Sequence, residues 1–240
     1  MSHLAHPVCD DGYAVLASRR MGLAEQILAL GRESNSVDVA HEIKKTMSGV
    51  TWHCHYHLMY DLRTILGPDP KVYLEIGVYD GGSLAFMMQH PYQTELHGVD
   101  PLVLPGQVEH TFANIAVFNR FGRKVTVHQQ YSHDPALWRE LDEISIDLIF
   151  IDGDHHASSV VEDFELSSSR VAPGGFIVFD DYLDPQCSPG VRPAVDLIVE
   201  RIQQHRYAGQ YDIIGCLPNV LGADPADMSI NSTFVLRKLA

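Results

Sequence analysis

The stretch Leu74-Glu75-Ile76-Gly77-Val78-Tyr79-Asp80-Gly81-Gly82-Ser83 carries the fold. Val72 to Ile76 is a short apolar run with the length of a buried strand, and it enters a glycine-rich turn. Leu84 to His90 then reads as a helix. A strand that turns on glycine into a helix opens a βαβ unit. Glycine is needed in such a turn where φ is positive or where a ligand meets bare backbone.

Outward from this turn, strand and helix alternate. Strands are expected at Leu96–Val99, Val125–Val127, Ile146–Ile151 and Phe176–Phe179, with two more at Ile213–Leu217 and Thr233–Leu239. Helices are expected around Ala113–Phe121, Pro135–Leu141, Ser158–Val171 and Ala194–Tyr207, with Pro173-Gly174-Gly175 as a turn. This order predicts an α/β fold: a Rossmann-like, doubly wound, mostly parallel seven-stranded sheet with an antiparallel last strand. Residues 1–70 differ in character. Leu23, Ile27, Leu28 and Leu30 recur at helical spacing up to Gly31, residues 32–36 read as a loop, and Val39, Ile43 and Met47 suggest a second helix. Leu58, Leu62, Ile65 and Leu66 form an amphipathic stripe that Gly67-Pro68 ends. The expected division is a helical cap over residues 1–70 and a main domain over 71–240.

In doubly wound sheets ligands sit beyond the carboxyl ends of the strands. Glu75, Asp100, Asp152, Asp180 and Asp181 all fall at or just after a strand end, so the fold collects them along one rim. A dinucleotide fingerprint would require a second glycine where Tyr79 stands, which argues against NAD or FAD. Asp100 lies 23 residues after Gly77, close to the offset at which an acid binds a ribose diol. An adenosyl ligand without phosphates satisfies both facts.

Glu-x-Gly-x-Tyr-x-Gly-x-Ser, from Glu75 to Ser83, resembles the first motif of the class I S-adenosylmethionine-dependent methyltransferases, in their metal-dependent O-methyltransferase branch. That branch includes the catechol and macrocin-type enzymes. By this resemblance Glu75, Gly77, Tyr79, Gly81 and Ser83 shape the pocket for the methionine end of S-adenosylmethionine, Asp100 holds the ribose, and Tyr131-Ser132 lie near the adenine. Asp152 closes the same pocket.

Phe150-Ile151-Asp152-Gly153-Asp154-His155-His156 and Phe179-Asp180-Asp181-Tyr182 end two strands expected to be neighbours. Three carboxylates facing one point repel, and Mg²⁺ or another divalent cation relieves this. The family's metal ligands match Asp152, Asp180 and Asp181. His155 stands where the catechol enzymes carry a lysine base, and an imidazole suits proton removal at neutral pH. His156 and the Asp152 carboxylate remain alternative bases. Asp-Gly-Asp-His is closer to the macrocin type, which implies a sugar or related natural-product hydroxyl as acceptor. The same fold also serves metal-independent methyltransferases, and a non-catalytic S-adenosylmethionine-binding protein would keep the same turn.

Lys plus Arg total 17 and Asp plus Glu 31, a net charge of −14. Such a surface disfavours nucleic acid and anionic membranes as partners. A small-molecule acceptor and a homodimer or higher homo-oligomer are expected, in the cytoplasm. Cys9, Cys54, Cys187 and Cys216 are too scattered for a zinc site or a disulfide framework. His53, His55 and His57 alternate, which in an extended segment places them on one face. They are read as a pocket wall before a metal site.

Overall fold

The computed structural model describes residues 21–33, 36–51, 56–218 and 232–239. Its sheet runs β3-β2-β1-β4-β5-β7-β6. The strands are β1 Lys71–Ile76, β2 Thr94–Val99, β3 Val125–His128, β4 Ile146–Ile151, β5 Val171–Phe179, β6 Tyr211–Pro218 and β7 Ser232–Lys238. All pairings are parallel except those of β7, which is antiparallel to both β5 and β6. The expected Rossmann-like sheet is therefore the observed one.

The central strands are apolar throughout because both faces are covered. Leu74, Ile149, Ile151, Ile177, Phe179, Phe234 and Leu236 face α6 (Pro135–Glu140), α7 (Ala157–Ser167) and α8 (Val191–Gln203). Tyr73, Leu148, Phe150, Phe176, Val178 and Val235 face the other way. There they meet α1 (Met21–Glu33), α2 (Ser36–Thr46), α3 (Tyr56–Ile65) and α4 (Gly82–Met87), with Phe118 of α5 (Gln107–Phe118). The three N-terminal helices thus share one apolar layer with the sheet. Arg63, fully buried at the end of α3, ties that layer to the sheet edge. Its guanidinium donates to Thr94 Oγ1 (2.8 Å) and to the carbonyls of Gly67 (2.6 Å), Asp69 (2.9 Å) and Gln93 (2.8 Å).

Several elements differ from the sequence reading. α1 runs through Gly31 to Glu33: a helical glycine costs only about 1 kcal/mol, which packing of the helix's apolar face outweighs. β5 begins at Val171, and Pro173-Gly174-Gly175 lies inside it at a register shift opposite Ile146 and Leu148, with Gly174 at φ +87°. α7 accordingly stops at Ser167. α5 begins at Gln107, six residues before its expected start, for a reason given below. His57 sits on α3 and so does not continue an extended alternation with its neighbours. Cys9, Arg19-Arg20, His53 to His55 and the loop 219–231 lie outside the described residues. Cys187 is an exposed free thiol. Among the described residues no helix is long and apolar enough to cross a membrane.

Candidate active site

All five rim acids stand at the carboxyl edge of the sheet, on β1, after β2, after β4 and after β5. β1 and β4 are neighbours, and the strand order reverses between them, so the crevice there is the topological switch point.

On one side of the crevice lies the glycine turn. Gly77 adopts φ +93° and donates to the Val99 carbonyl (2.9 Å). A Cβ at Gly77 would collide with the carbonyl of Asp152, because the turns after β1 and β4 touch. Asp152 N donates in return to Ile76 O (2.8 Å). Val78 N and Tyr79 N both donate to Asp100 Oδ2 at 3.0 Å. Asp100 Oδ1 accepts from Leu102 N (2.7 Å) and Gln107 Nε2 (3.1 Å). Asp100 is thus a strut for the turn, with each oxygen already accepting two hydrogen bonds. Tyr79 is exposed, at φ +50°, and its carbonyl accepts from Thr111 Oγ1 (2.9 Å).

The residues that brace this turn escaped the sequence reading. Asp80 Oδ2 accepts from Val50 N (2.8 Å), and Oδ1 lies 3.1 Å from His110 Nδ1. Asn114 Nδ2 donates to the carbonyls of Asp80 (2.7 Å) and Ser48 (2.9 Å). The Thr51 and Tyr56 hydroxyls are 2.6 Å apart, against Gly82, where a Cβ would collide with both. Residues 48–51 therefore lie over the turn. Only Asp80, inside the motif, carried any signal.

Glu75 is fully buried. Tyr73 donates its hydroxyl to Oε2 (2.8 Å), and burial pushes the carboxyl up to about 8 despite this bond and that of Ser83. After β3, exposed Tyr131 stacks on His133 (5.2 Å between centroids). The Ser132 carbonyl accepts from Trp138 Nε1 (2.5 Å), and the Ser132 side chain hydrogen-bonds the buried Asp163.

On the other side of the crevice the loops after β4 and β5 converge. Ligand atoms of Asp152, His155 and Asp181 all lie within 4.8 Å of one another. His155 Nε2 is 3.4 Å from Asp152 Oδ1 and 3.7 Å from Asp181 Oδ2. Ser188 fixes the imidazole: its Oγ donates to Asp181 Oδ2 (2.6 Å) and lies 2.7 Å from His155 Nδ1. Because the hydroxyl proton goes to Asp181, Nδ1 must donate to Ser188. The neutral ring therefore keeps its lone pair on Nε2, facing the two carboxylates. Asp184 shapes this loop by accepting from Gln186 N (3.0 Å) and Cys187 N (2.9 Å). Gly190 lets it press on residues 155–157, where a Cβ would meet backbone. Neither Ser188 nor Asp184 carried a sequence signal.

The charges follow. Burial, with Asp181 beside it, pushes Asp152 up to about 6, against the hydrogen bond from His155. That same bond, donated through Nε2 by the protonated ring, raises His155 against its own burial. Asp180 is buried and raised well above the usual carboxylate range, first by desolvation and then by Asp152 and Asp181. It is not part of the trio. His156 is exposed at the start of α7, and its Nδ1 lies 2.6 Å from Asp154 Oδ1.

Residues 74–182, which span both halves of this crevice, match a family profile described as a methyltransferase domain. The uncharacterized protein R132 of Acanthamoeba polyphaga mimivirus is 41% identical over 205 residues, covering 82% of this chain and 93% of that protein. Among solved structures, the O-methyltransferase from Bacillus cereus in complex with SAH superposes with a TM-score of 0.60 at 16% identity, over 85% of this chain and 91% of that one. An rRNA methylase from Streptococcus thermophilus gives 0.55 at 12% identity, over 80% and 100%. At such identities the two structures speak for the fold alone. The chain belongs to the class I S-adenosylmethionine-dependent methyltransferases, in one family with the mimivirus protein.

Proposed function

We propose that this enzyme is a divalent-cation-dependent O-methyltransferase acting on a hydroxyl of a small molecule, a sugar or related natural product. The carrying observation is the convergence of Asp152, His155 and Asp181 one turn away from Gly77. Two converging carboxylates are a donor set for a divalent ion, and a cation would offset the burial that raises Asp152. Asp152 and Asp181 would hold the cation, with Asp180 behind them. A cation there would lower the pKa of a bound acceptor hydroxyl.

The chain's own groups do the rest. His155 Nε2 takes the acceptor proton, and Ser188 and Asp181 hold the ring so that this nitrogen faces the crevice. The glycine turn, Glu75 and Ser83 seat the methionine end of S-adenosylmethionine, whose sulfonium supplies the methyl group. Tyr131 and Ser132 border the adenine. Ribose binding by Asp100 requires one of its present donors to yield, and the one side-chain donor, Gln107, is itself buried and held by Leu104 N on Oε1. Positioning of oxygen and methyl in line is the main contribution. The net charge of −14 tolerates the sulfonium and favours a neutral or cationic acceptor.

A second reading rests on the trio itself: His155 is a ligand, and Asp180 is not. Imidazole favours Mn²⁺, Co²⁺ or Zn²⁺ over Mg²⁺. The test is methyl transfer from radiolabelled S-adenosylmethionine to a panel of hydroxyl acceptors after chelation, then after adding back each metal. Restoration by Mg²⁺, lost in Asp181→Asn, supports the first reading, and restoration by the softer ions alone supports the second. Full activity after chelation rejects both. Tight cofactor binding with no turnover on any acceptor points to a non-catalytic binding protein.

A further inference from the structure

One chain of hydrogen-bonded side chains has no part in the chemistry proposed above. It runs from Glu95 and His97 on β2, through His128 at the end of β3, to Glu140 at the end of α6. Both imidazoles are buried. Their rings are nearly parallel (14°), and His97 Nδ1 lies 3.1 Å from His128 Nε2. His97 Nε2 lies 3.0 Å from Glu95 Oε1, which also accepts from Lys124 Nζ (2.6 Å). At the other end His128 Nδ1 lies 3.4 Å from Glu140 Oε2, and Gln130 Nε2 donates to Glu140 Oε1 (3.2 Å).

The protons along this chain can be counted. Lys124 holds Glu95 below the usual carboxylate range, so Glu95 is ionised and only accepts. His97 Nε2 therefore carries a hydrogen. Burial pushes His97 below the ordinary imidazole value, against its bond to Glu95, so the ring stays neutral and its Nδ1 is a lone pair. That lone pair accepts from His128 Nε2. A neutral His128 then has a lone pair on Nδ1, and this faces the Glu140 carboxylate: two acceptors with no hydrogen between them. One proton from solvent, added at Nδ1, turns the contact into a charge-assisted hydrogen bond and leaves every link of the chain with one donor and one acceptor. Glu140 is half exposed, so water reaches this end of the chain. The charged groups that meet the pair are Glu95 on β2, Lys124 before β3 and Glu140 on α6. Asp100, after β2, meets His128 through its backbone, its N donating to His128 O (3.1 Å).

The chain also reaches the cofactor side of the sheet. Gln130, which Glu140 holds, directly precedes Tyr131 and Ser132, and Trp138 of α6 donates to the Ser132 carbonyl. We propose that the His97–His128 pair is a one-proton switch: a proton taken up at His128 Nδ1 draws in Glu140, fastens α6 and the Tyr131-Ser132 loop to β3, and so tightens binding of the adenosyl end of the cofactor. This rests on the reading that Tyr131 and Ser132 border the adenine. The added bond exists in the protonated form, so its contribution is present at low pH and lost as pH rises.

Glu140→Gln tests this in the full chain, because its amide donates to the lone pair of the neutral ring and so favours the opposite state. In urea unfolding, the unfolding constant of the variant divided by that of the wild type is expected to fall about fivefold between pH 6 and pH 8. Nitrogen-15 NMR reads the site itself. As pH falls, His128 Nδ1 is expected to change from a lone-pair to a protonated signal while His97 Nδ1 keeps its lone pair, and His128→Gln identifies the signal by removing it. Calorimetry with S-adenosylhomocysteine at the same two pH values is expected to show about threefold more affinity lost with rising pH in the wild type than in Glu140→Gln. Groups elsewhere, Glu75 and Asp152 among them, titrate in both chains and cancel. A ratio of unfolding constants that does not move, a proton that appears on His97 Nδ1, or equal affinity losses in the two chains overturns the proposal. A wild type that binds no S-adenosylhomocysteine at either pH refutes the cofactor reading beneath it, and the proposal with it.

Discussion

Glu75→Gln separates the burden of a buried acid from its use. In the folded chain this carboxyl ionises near 8, in the unfolded chain near its ordinary 4.5, and the cause is complete burial beside Tyr73 and Ser83. A group whose folded value is raised contributes its full stability below the unfolded value and loses it as pH rises towards the folded one. Each pH step between the two costs about 1.4 kcal/mol, so between pH 5 and pH 7.5 the wild type should lose about 3 kcal/mol relative to a chain without this acid. Glutamine keeps the shape and an acceptor for the Tyr73 hydroxyl, and any unmet need of its NH₂ group is the same at every pH. The assay is urea unfolding of cofactor-free wild type and variant at both pH values. The gap between their unfolding free energies is expected to widen in favour of the variant by about that amount. Stability curves that stay parallel across this range would refute the reasoning, since the carboxyl would then not be carried uncharged into the core. The same variant is expected to bind S-adenosylmethionine more weakly by calorimetry, which would mark Glu75 as an acid kept for function at a cost in stability.

Three further outcomes are expected. The His155 ring proton, followed by NMR, should titrate above 6.5 and move down in Asp152→Asn, because the hydrogen bond to Asp152 is the main cause of its elevation. An unchanged midpoint would remove Asp152 as its partner. Gly77→Ala should lower unfolding free energy by about 3 kcal/mol or more, since φ is +93° and the added methyl meets the Asp152 backbone; a loss below 1 kcal/mol would mean the two turns can separate freely. Arg63→Lys should cost about 2–3 kcal/mol in chemical denaturation, because a single ammonium cannot reach the four acceptors the guanidinium serves. A neutral result would show that charge, not the planar fork, is what the site needs.

The sequence alone determined the sheet and its acidic rim. Buried strands such as Ile146–Ile151 are local signals, and a strand end followed by an acid is placed at the sheet's carboxyl edge by connectivity alone. The glycine turn was legible for a related reason, as Gly77 is required by backbone contact that no other residue allows. Only the tertiary structure decided which groups meet. α5 hid its true start because its polar residues face inward to the turn, so the usual rule of apolar inside and polar outside reads it backwards. Asp100 looked like a free ligand, and the fold made it a strut with four protein donors. The sequence reading made Asp180 a metal ligand and His155 the base, yet the left-handed turn at Asp181 (φ +54°) and the Ser188 hydroxyl bring His155, not Asp180, into the trio. Direction of a side chain at a loop depends on the neighbours packed against it, and the deciding one is distant in sequence for His155, whose partner Ser188 lies 33 residues away.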